Sequence, residues 1–277
     1  MLLDTAYGKS KVRLVKLTRR AGGHDLRELS VSICFQGAYD DSYTAGDNTD
    51  VLPTDTMKNT VYALAADAVI EDPEAFGITL ANHFLERNPP LQRVRIDLTE
   101  HLWDRIDAGG RDDGGAFIRK GPELRCAAIT ANRQQTIVEG GIVDLLILKS
   151  SRSAFAGFMR DEYTTLPETA DRILATSLTT RWHYRHPAVN FSATWSAVRR
   201  RLLESFATHE SASVQHTLYA MGRAVIESVD EIAGIHLAMP NRHHLPVDLT
   251  PFGLENRNEI FVPTDEPYGL IEATVSR

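Results

Sequence analysis

Residues 11–17, KVRLVKL, set polar against apolar side chains with the period of two that a half-buried strand requires. Part of residues 29–36, LSVSICFQ, repeats the pattern, and Arg20-Ala21-Gly22-Gly23 supplies turn residues between them. The two stretches therefore predict an antiparallel pair. Beyond it the period lengthens: residues 55–66 read as a helix with Thr54 placed to cap it, and a second helix runs from Pro73 to about residue 86. Asp72 is placed as cap of that second helix, with proline at its first position, where the missing N–H costs nothing. Val94, Ile96 and Leu98 then alternate with Arg95, Asp97 and Thr99, residues 107–115 (DAGGRDDGG) form a loop, and residues 124–130 give a further strand. The order is strand, strand, helix, helix, strand, strand.

The second half repeats it. Residues 142–150 and 176–184 read as strands, separated by an irregular stretch and a short helix beginning near Pro167. Trp195, Val198, Leu202 and Phe206 recur at helical spacing, as do Val214, Leu218, Met221 and Val225. Strands at residues 235–239, 244–249 and 270–275 close the chain. The pattern predicts a tandem duplication divided near residue 134, into domains 1–134 and 135–277. Helices segregated to one face of an antiparallel sheet make each half, and the chain, α+β.

Several chemistries are disfavoured. A net charge of -7 argues against a nucleic-acid binder, whose footprint is basic. The two cysteines, Cys34 and Cys126, cannot build a disulfide framework and read as buried free thiols. No apolar run reaches the 18 residues of a membrane span, no signal-peptide core is present, and the last residues are not the peroxisomal S-K-L. The expectation is a soluble, cytoplasmic protein without a membrane partner. Gly8-Lys9-Ser10 resembles the end of a phosphate-binding loop but lacks the first glycine, Leu3 standing there. No nucleophile elbow, zinc-protease or dinucleotide motif occurs, and Asp47-Asn48-Thr49-Asp50 lacks the glycine and distal glutamate of a calcium loop. His183 and His186, three apart on a predicted strand, would face opposite ways. Neither a metal nor a redox cofactor is expected.

Residues 146–172 read LILKSSRSAFAGFMRDEYTTLPETADR: a strand ending in Lys-Ser-Ser, spaced aromatics, Tyr-Thr-Thr-Leu, then Asp-Arg. Further blocks accompany it in order along the chain. They are Tyr7-Gly8-Lys9, Thr54-Asp55-Thr56-Met57-Lys58-Asn59-Thr60, Ser211-Ala212-Ser213-Val214-Gln215, Met239-Pro240-Asn241-Arg242-His243 and Pro267-Tyr268-Gly269-Leu270-Ile271. Over nearly its whole length the chain resembles the urate oxidase (uricase) family. The resemblance implies two tandem tunnelling-fold (T-fold) domains, and a homotetramer whose sheets close into a barrel with active sites between subunits. It also implies purine degradation without a cofactor: urate, O2 and water giving 5-hydroxyisourate and hydrogen peroxide.

The implied site residues suit that substrate, a flat anion whose edge carries donors and acceptors. Arg172 offers a planar fork for a carbonyl and an adjacent ring nitrogen; otherwise it would be a helical ion pair with Glu168. Gln215 can meet a carbonyl and an N–H on the opposite edge, or be a plain exposed helix residue. Val214 and Asp55 fall in first helical turns, where backbone N–H groups lack partners and favour an anion. Phe155 matches the ring that stacks on the purine, and Leu166 part of an apolar wall. Thr54 and Asn241 match groups that hold O2 and then water above the ring. Lys9, hydrogen-bonded to Thr54, and His243 would relay protons, partial desolvation making the lysine a usable base near neutral pH. His243 and His244, adjacent on a predicted strand, would face opposite ways, so one alone serves the pocket. Two readings compete: another enzyme of the same fold acting on a pterin or purine, and a non-catalytic purine-binding protein.

Overall fold

A computed structural model describes residues 4–20, 23–107, 109 and 114–277. The chain forms two compact units, the first comprising residues 1–142 with 183–195, the second residues 143–182 with 196–277.

In the first unit, β1 (Tyr7–Arg20) and β2 (Gly23–Gly37) are followed by a single-turn α1 (Asp40–Thr44), α2 (Thr54–Asp67) and α3 (Pro73–Arg87). Strands β3 (Leu91–Arg105) and β4 (Phe117–Ala131) come next, and β5 (Thr136–Lys149) begins here and continues into the second unit. The strands lie in sequence order, β1-β2-β3-β4-β5, with the first three pairings antiparallel. The expected strands are present but extend well past their apolar cores, because the hairpin arms continue with polar, exposed residues. The turn at Ala21-Gly22 and most of the 107–115 loop lie outside the described residues.

One face of this sheet carries Val31, Ile33, Phe35, Val94, Ile96 and Leu98, all buried. Met57 and Val61 of α2 and Phe76, Leu80 and Phe84 of α3 join the same cluster. Each such side chain contributes roughly 1.5–3 kcal/mol through burial. Contact is closest at Gly77, where a Cβ would stand 2.3 Å from Ile129 Cδ1 and 2.7 Å from Leu98 Cδ1. At the expected cap Asp72 the side chain does not close the helix. Its Oδ1 accepts from Arg125 Nη2 at 2.9 Å and from the Ser192 hydroxyl. Arg125 is buried and also meets Glu74 at 2.6 Å, whose other oxygen accepts from Tyr184 at 3.0 Å. Capping by Asp72 is thus traded for satisfying a buried cation, the costlier group to leave alone.

In the second unit the order is β5-β6-β7-β10, with most of β6 (Leu174–Tyr184) and of α4 (Phe191–Thr208), whose end and start respectively belong to the first unit, and with α5 (Val214–Ser228), β7 (Ile232–Arg242) and β10 (Gly269–Ser276). Helix α5 buries Val214, Leu218, Met221 and Val225, the stripe read from the sequence, and packs on β7 and β10. Gly222 does there what Gly77 does in the first unit, bringing the helix axis close: a Cβ on it would stand 2.7 Å from Val275 Cγ2. Both units are α+β, as expected.

Three expectations change. No helix begins near Pro167; the segment stays irregular, and Thr169 pairs instead with Phe155 in an isolated antiparallel bridge. The strand expected at residues 244–249 shrinks to β8 (His244–Pro246), which pairs with β9 (Phe261–Pro263) outside the main sheet. Proline at 246 has no N–H to continue a ladder. Cys34 is half-buried rather than buried, while Cys126 is buried as expected.

Candidate functional site

Apart from Asn241 and His243, the predicted residues fall into two clusters, one in each unit. In the first, Lys9 is placed by a fault in the β1–β2 ladder. Lys9 pairs with Ile33 and Val12 with Val31, so three steps along β1 match two along β2. The extra residue is a bulge in which Lys11 takes φ 55° and gives its N–H to Ser32 Oγ at 3.0 Å. Without it, Lys9 would stand on the face opposite Val12. With it, Lys9 shares the helix-covered face with Val12, Val31 and Ile33. Gly8 is needed for the same approach, since a Cβ there would lie 1.8 Å from the carbonyl oxygen of Ile33.

Tyr7 ties this strand to the entrance of α2. Its ring stands edge-on to Phe35 and Tyr39, and its hydroxyl accepts from Leu52 N at 3.0 Å, two residues before Thr54. Thr54 is the first residue of the helix, not its cap. The capping position is Pro53, with φ -56° and ψ 138° and no side chain able to accept a hydrogen bond. The early N–H donors of α2 therefore lack a side-chain cap. Asp55 accepts from the Lys58 ammonium and from Asn59 Nδ2 at 3.0 Å. Those bonds, chiefly the one from Lys58, hold its carboxyl below the usual range, and Lys9 adds a smaller push in the same direction. Lys9 thus lies within electrostatic reach of Asp55, but among the described residues no hydrogen bond joins it to Thr54.

In the second unit, residues 150–172 leave β5 and return to β6 without regular structure, yet their backbone is closely tied. Arg172 N donates to Ser153 O at 2.8 Å, and Phe155 and Thr169 exchange bonds at 2.8 and 3.0 Å. Ala154 N donates to Ser211 O at 2.7 Å and Ser211 N to Arg152 O at 2.9 Å, forming the parallel bridge between Ser153 and Ser211. Ser211 Oγ donates to Ser213 O, and Ser213 caps α5 by accepting from His216 N at 3.1 Å. Arg172, Phe155 and the first turn of α5, with Val214 buried and Gln215 exposed, therefore belong to one hydrogen-bonded junction.

Within it the Arg172 guanidinium carbon lies 5.2 Å from the centroid of Phe155, and Phe158 stacks on Phe155 at 4.9 Å and 15°. Arg172 Nε is buried without a hydrogen-bond partner, and burial pulls the guanidinium pKa down from its ordinary value. The alternative ion pair with Glu168 does not form, because no helix brings the two together. Glu168 instead accepts from Gly157 N at 3.2 Å. Leu166 is exposed on the same segment.

Asn241 lies near the end of β7, paired with Gly269 of β10. His243 sits in the break between β7 and β8 and accepts from Thr264 N at 2.8 Å through its carbonyl. The alternation argument for His243 and His244 therefore does not apply, since the two are not on one continuous strand. Two parts of the arrangement left no sequence signal: the bulge at Lys11, where a non-glycine takes a left-handed conformation, and the Ser153–Ser211 bridge between distant segments.

A family profile described as Uricase matches residues 5–130 and 138–272, one stretch for each repeat. The uricase of Arthrobacter globiformis is 45% identical over 277 residues, covering 100% of this chain and 90% of that protein. The uricase of Danio rerio is 36% identical, covering 99% and 94%. The crystal structure of uricase from Arthrobacter globiformis superposes with a TM-score of 0.95 at 45% identity, covering 100% and 95% of the two chains.

Proposed function

The chain belongs to the uricase family and its activity is the oxidation of urate, and we propose that the reaction runs where the Lys9–Thr54–Asp55 cluster of one subunit meets the Phe155–Arg172–Gln215 cluster of another. The assembly is a cytoplasmic homotetramer whose sheets close into a barrel, each chain contributing two T-fold domains divided near residue 134. The long strand β1 ends one row of strands and β10 the other, and among the described residues each leaves an unpaired edge that association would cover.

The single observation that carries the site is the orphaned, buried Nε of Arg172 beside Phe155. A buried donor without a partner costs about 1–3 kcal/mol, which a ligand carbonyl or ring nitrogen would return. Arg172 grips one edge of urate and the Gln215 amide the other. Backbone N–H groups of Val214 and Asp55, at two helix N-termini, add donors for the anion. The purine stacks on Phe155 in place of Phe158 or of the Arg172 guanidinium, and Leu166 closes the apolar side.

Lys9 takes a proton from the bound urate monoanion. The more electron-rich purine then passes two electrons to O2 held by Thr54 and Asn241, and O2 leaves as H2O2 with the proton taken up by Lys9 and a second one drawn from solvent. Water occupies the same place and adds to the ring carbon left electron-poor, giving 5-hydroxyisourate, with His243 moving the proton released. Urate supplies the electrons itself, so the scheme needs no flavin or metal. Metal-stripped protein mixed with urate should consume it, by ultraviolet absorbance, while releasing one peroxide per urate. Urate loss without peroxide would contradict the oxidase scheme.

A further inference from the structure

Lys149 ends β5, one residue before the segment that carries Phe155 and Arg172, and the oxidation scheme gives it no part. It is only 8% exposed, yet among the described residues no carboxylate pairs with it. The ammonium instead donates to two backbone carbonyls where α4 ends, Phe206 O at 3.3 Å and His209 O. It also lies 5.9 Å from the centroid of the Phe206 ring. Arg152 reinforces the same helix end from the surface, donating to Ala207 O at 2.8 Å and Thr208 O at 3.3 Å. Two cations thus occupy the negative end of one helix, where the last carbonyls lack partners.

Beyond that helix end the chain enters the junction that ties Arg172 to the first turn of α5. Two residues after His209 comes Ser211, whose backbone bonds hold Arg152 and Ala154, and two residues further Ser213 caps α5. Four residues after Lys149 comes Ser153, whose carbonyl holds Arg172 N. The Lys149 ammonium therefore bridges the two chain segments at the point from which both purine-binding groups are suspended. A surface location would stabilise the helix end at less cost, because burying an ammonium that no carboxylate contacts directly is unfavourable. Burial indeed pulls the Lys149 pKa down, Arg152 pushes the same way, and Glu210 opposes them. His209, also lowered by burial and by its neighbours His216 and Lys149, completes the titratable surroundings.

We propose that Lys149 is a positioning residue for the oxidation of urate: by joining the end of β5 to the end of α4, it fixes the spacing between Arg172 and the Gln215 turn. This rests on the reading that those two residues grip opposite edges of the purine. A gap set wrongly by about 1 Å would weaken binding of substrate and inert analogue alike.

The test compares the parent tetramer with Lys149→Met, Lys149→Gln and Lys149→Arg. The measurements are KM, kcat and the Kd of a non-oxidisable urate analogue, with circular dichroism and assembly verified for each. Lys149→Met should raise KM and Kd together by about tenfold or more while kcat falls less than threefold, and Lys149→Gln should do the same to a smaller degree. Lys149→Arg, which keeps a charged donor, should recover most of the loss. If Lys149→Met does not fold, the folded Gln and Arg variants carry the comparison. A folded variant lacking the charge with KM and Kd within twofold of the parent overturns the proposal. So does a fall in kcat alone, or failure of all three variants to fold, which would mark Lys149 as structural. A parent that does not oxidise urate would instead sink the underlying reading of the site.

Discussion

Replacing Arg172 with methionine should separate stability from function. In the parent, Arg172 Nε is buried without a partner, while the guanidinium lies over Phe155. Methionine removes the orphaned donor, a relief of about 1–3 kcal/mol, and forfeits a cation–π contact of about 0.5–2 kcal/mol. The unliganded variant should thus be as stable as the parent or slightly more so. At about 2–4 °C per kcal/mol in a chain of this size, its melting temperature should stay level or rise by a few degrees. Binding should move the other way. Two charge-assisted hydrogen bonds to the purine, at about 1.5–3 kcal/mol each, would be lost, weakening an inert urate analogue on the order of 10²- to 10⁴-fold. Calorimetric titration with the analogue, alongside thermal melts with and without it, reads both quantities. An analogue Kd within threefold of the parent, or a melting temperature lowered by more than about 5 °C, would refute the reasoning.

Two further outcomes concern the first unit. Gly77→Ala should destabilise despite alanine's better helix propensity of about 1 kcal/mol, because the new methyl meets Ile129 and Leu98 well inside contact distance. Overpacking costs about 1–3 kcal/mol, so chemical denaturation should show a net loss near 1 kcal/mol; an equal or higher midpoint would mean α3 can shift outward freely. Glu28 governs part of the acid stability. Burial raises its pKa, but bonds from Arg13 and Trp103 outweigh that, and its folded value is lowered; Arg119 also donates to it at 2.8 Å. A lowered carboxyl contributes stability that is fully present above the unfolded value of about 4.3 and is lost as pH falls through the folded one. Glu28→Gln should therefore be less stable than the parent near neutrality, and the difference should shrink below about pH 4. A difference independent of pH would remove Glu28's charge from the account.

The strands and the two amphipathic helices of the second unit were legible because period alone identifies them. Val94, Ile96 and Leu98 fill one face of a strand, as Val214, Leu218, Met221 and Val225 fill one stripe of a helix. Ends were less legible, since they depend on partners remote in sequence. Asp72 looks like a cap but serves Arg125, and Thr54 looks like a cap but follows one that is proline. The helix expected near Pro167 failed because Thr169 finds backbone partners on Phe155, a choice no local propensity encodes. For the candidate site, residue types came from the resemblance, whereas their placement did not. Lys9 reaches the helix-covered face through a bulge at a lysine, where a glycine would have announced the left-handed turn.

Mixing two inactive variants tests most directly whether one pocket draws its halves from different chains. Thr54→Ala and Arg172→Ala subunits, each purified and then dissociated and reassembled at equal ratio, should regain urate turnover. Random pairing leaves roughly a quarter of interfaces with both halves intact, so about a quarter of parent activity is expected. Verified hybrid tetramers with no turnover above either variant alone would contradict a site shared between subunits.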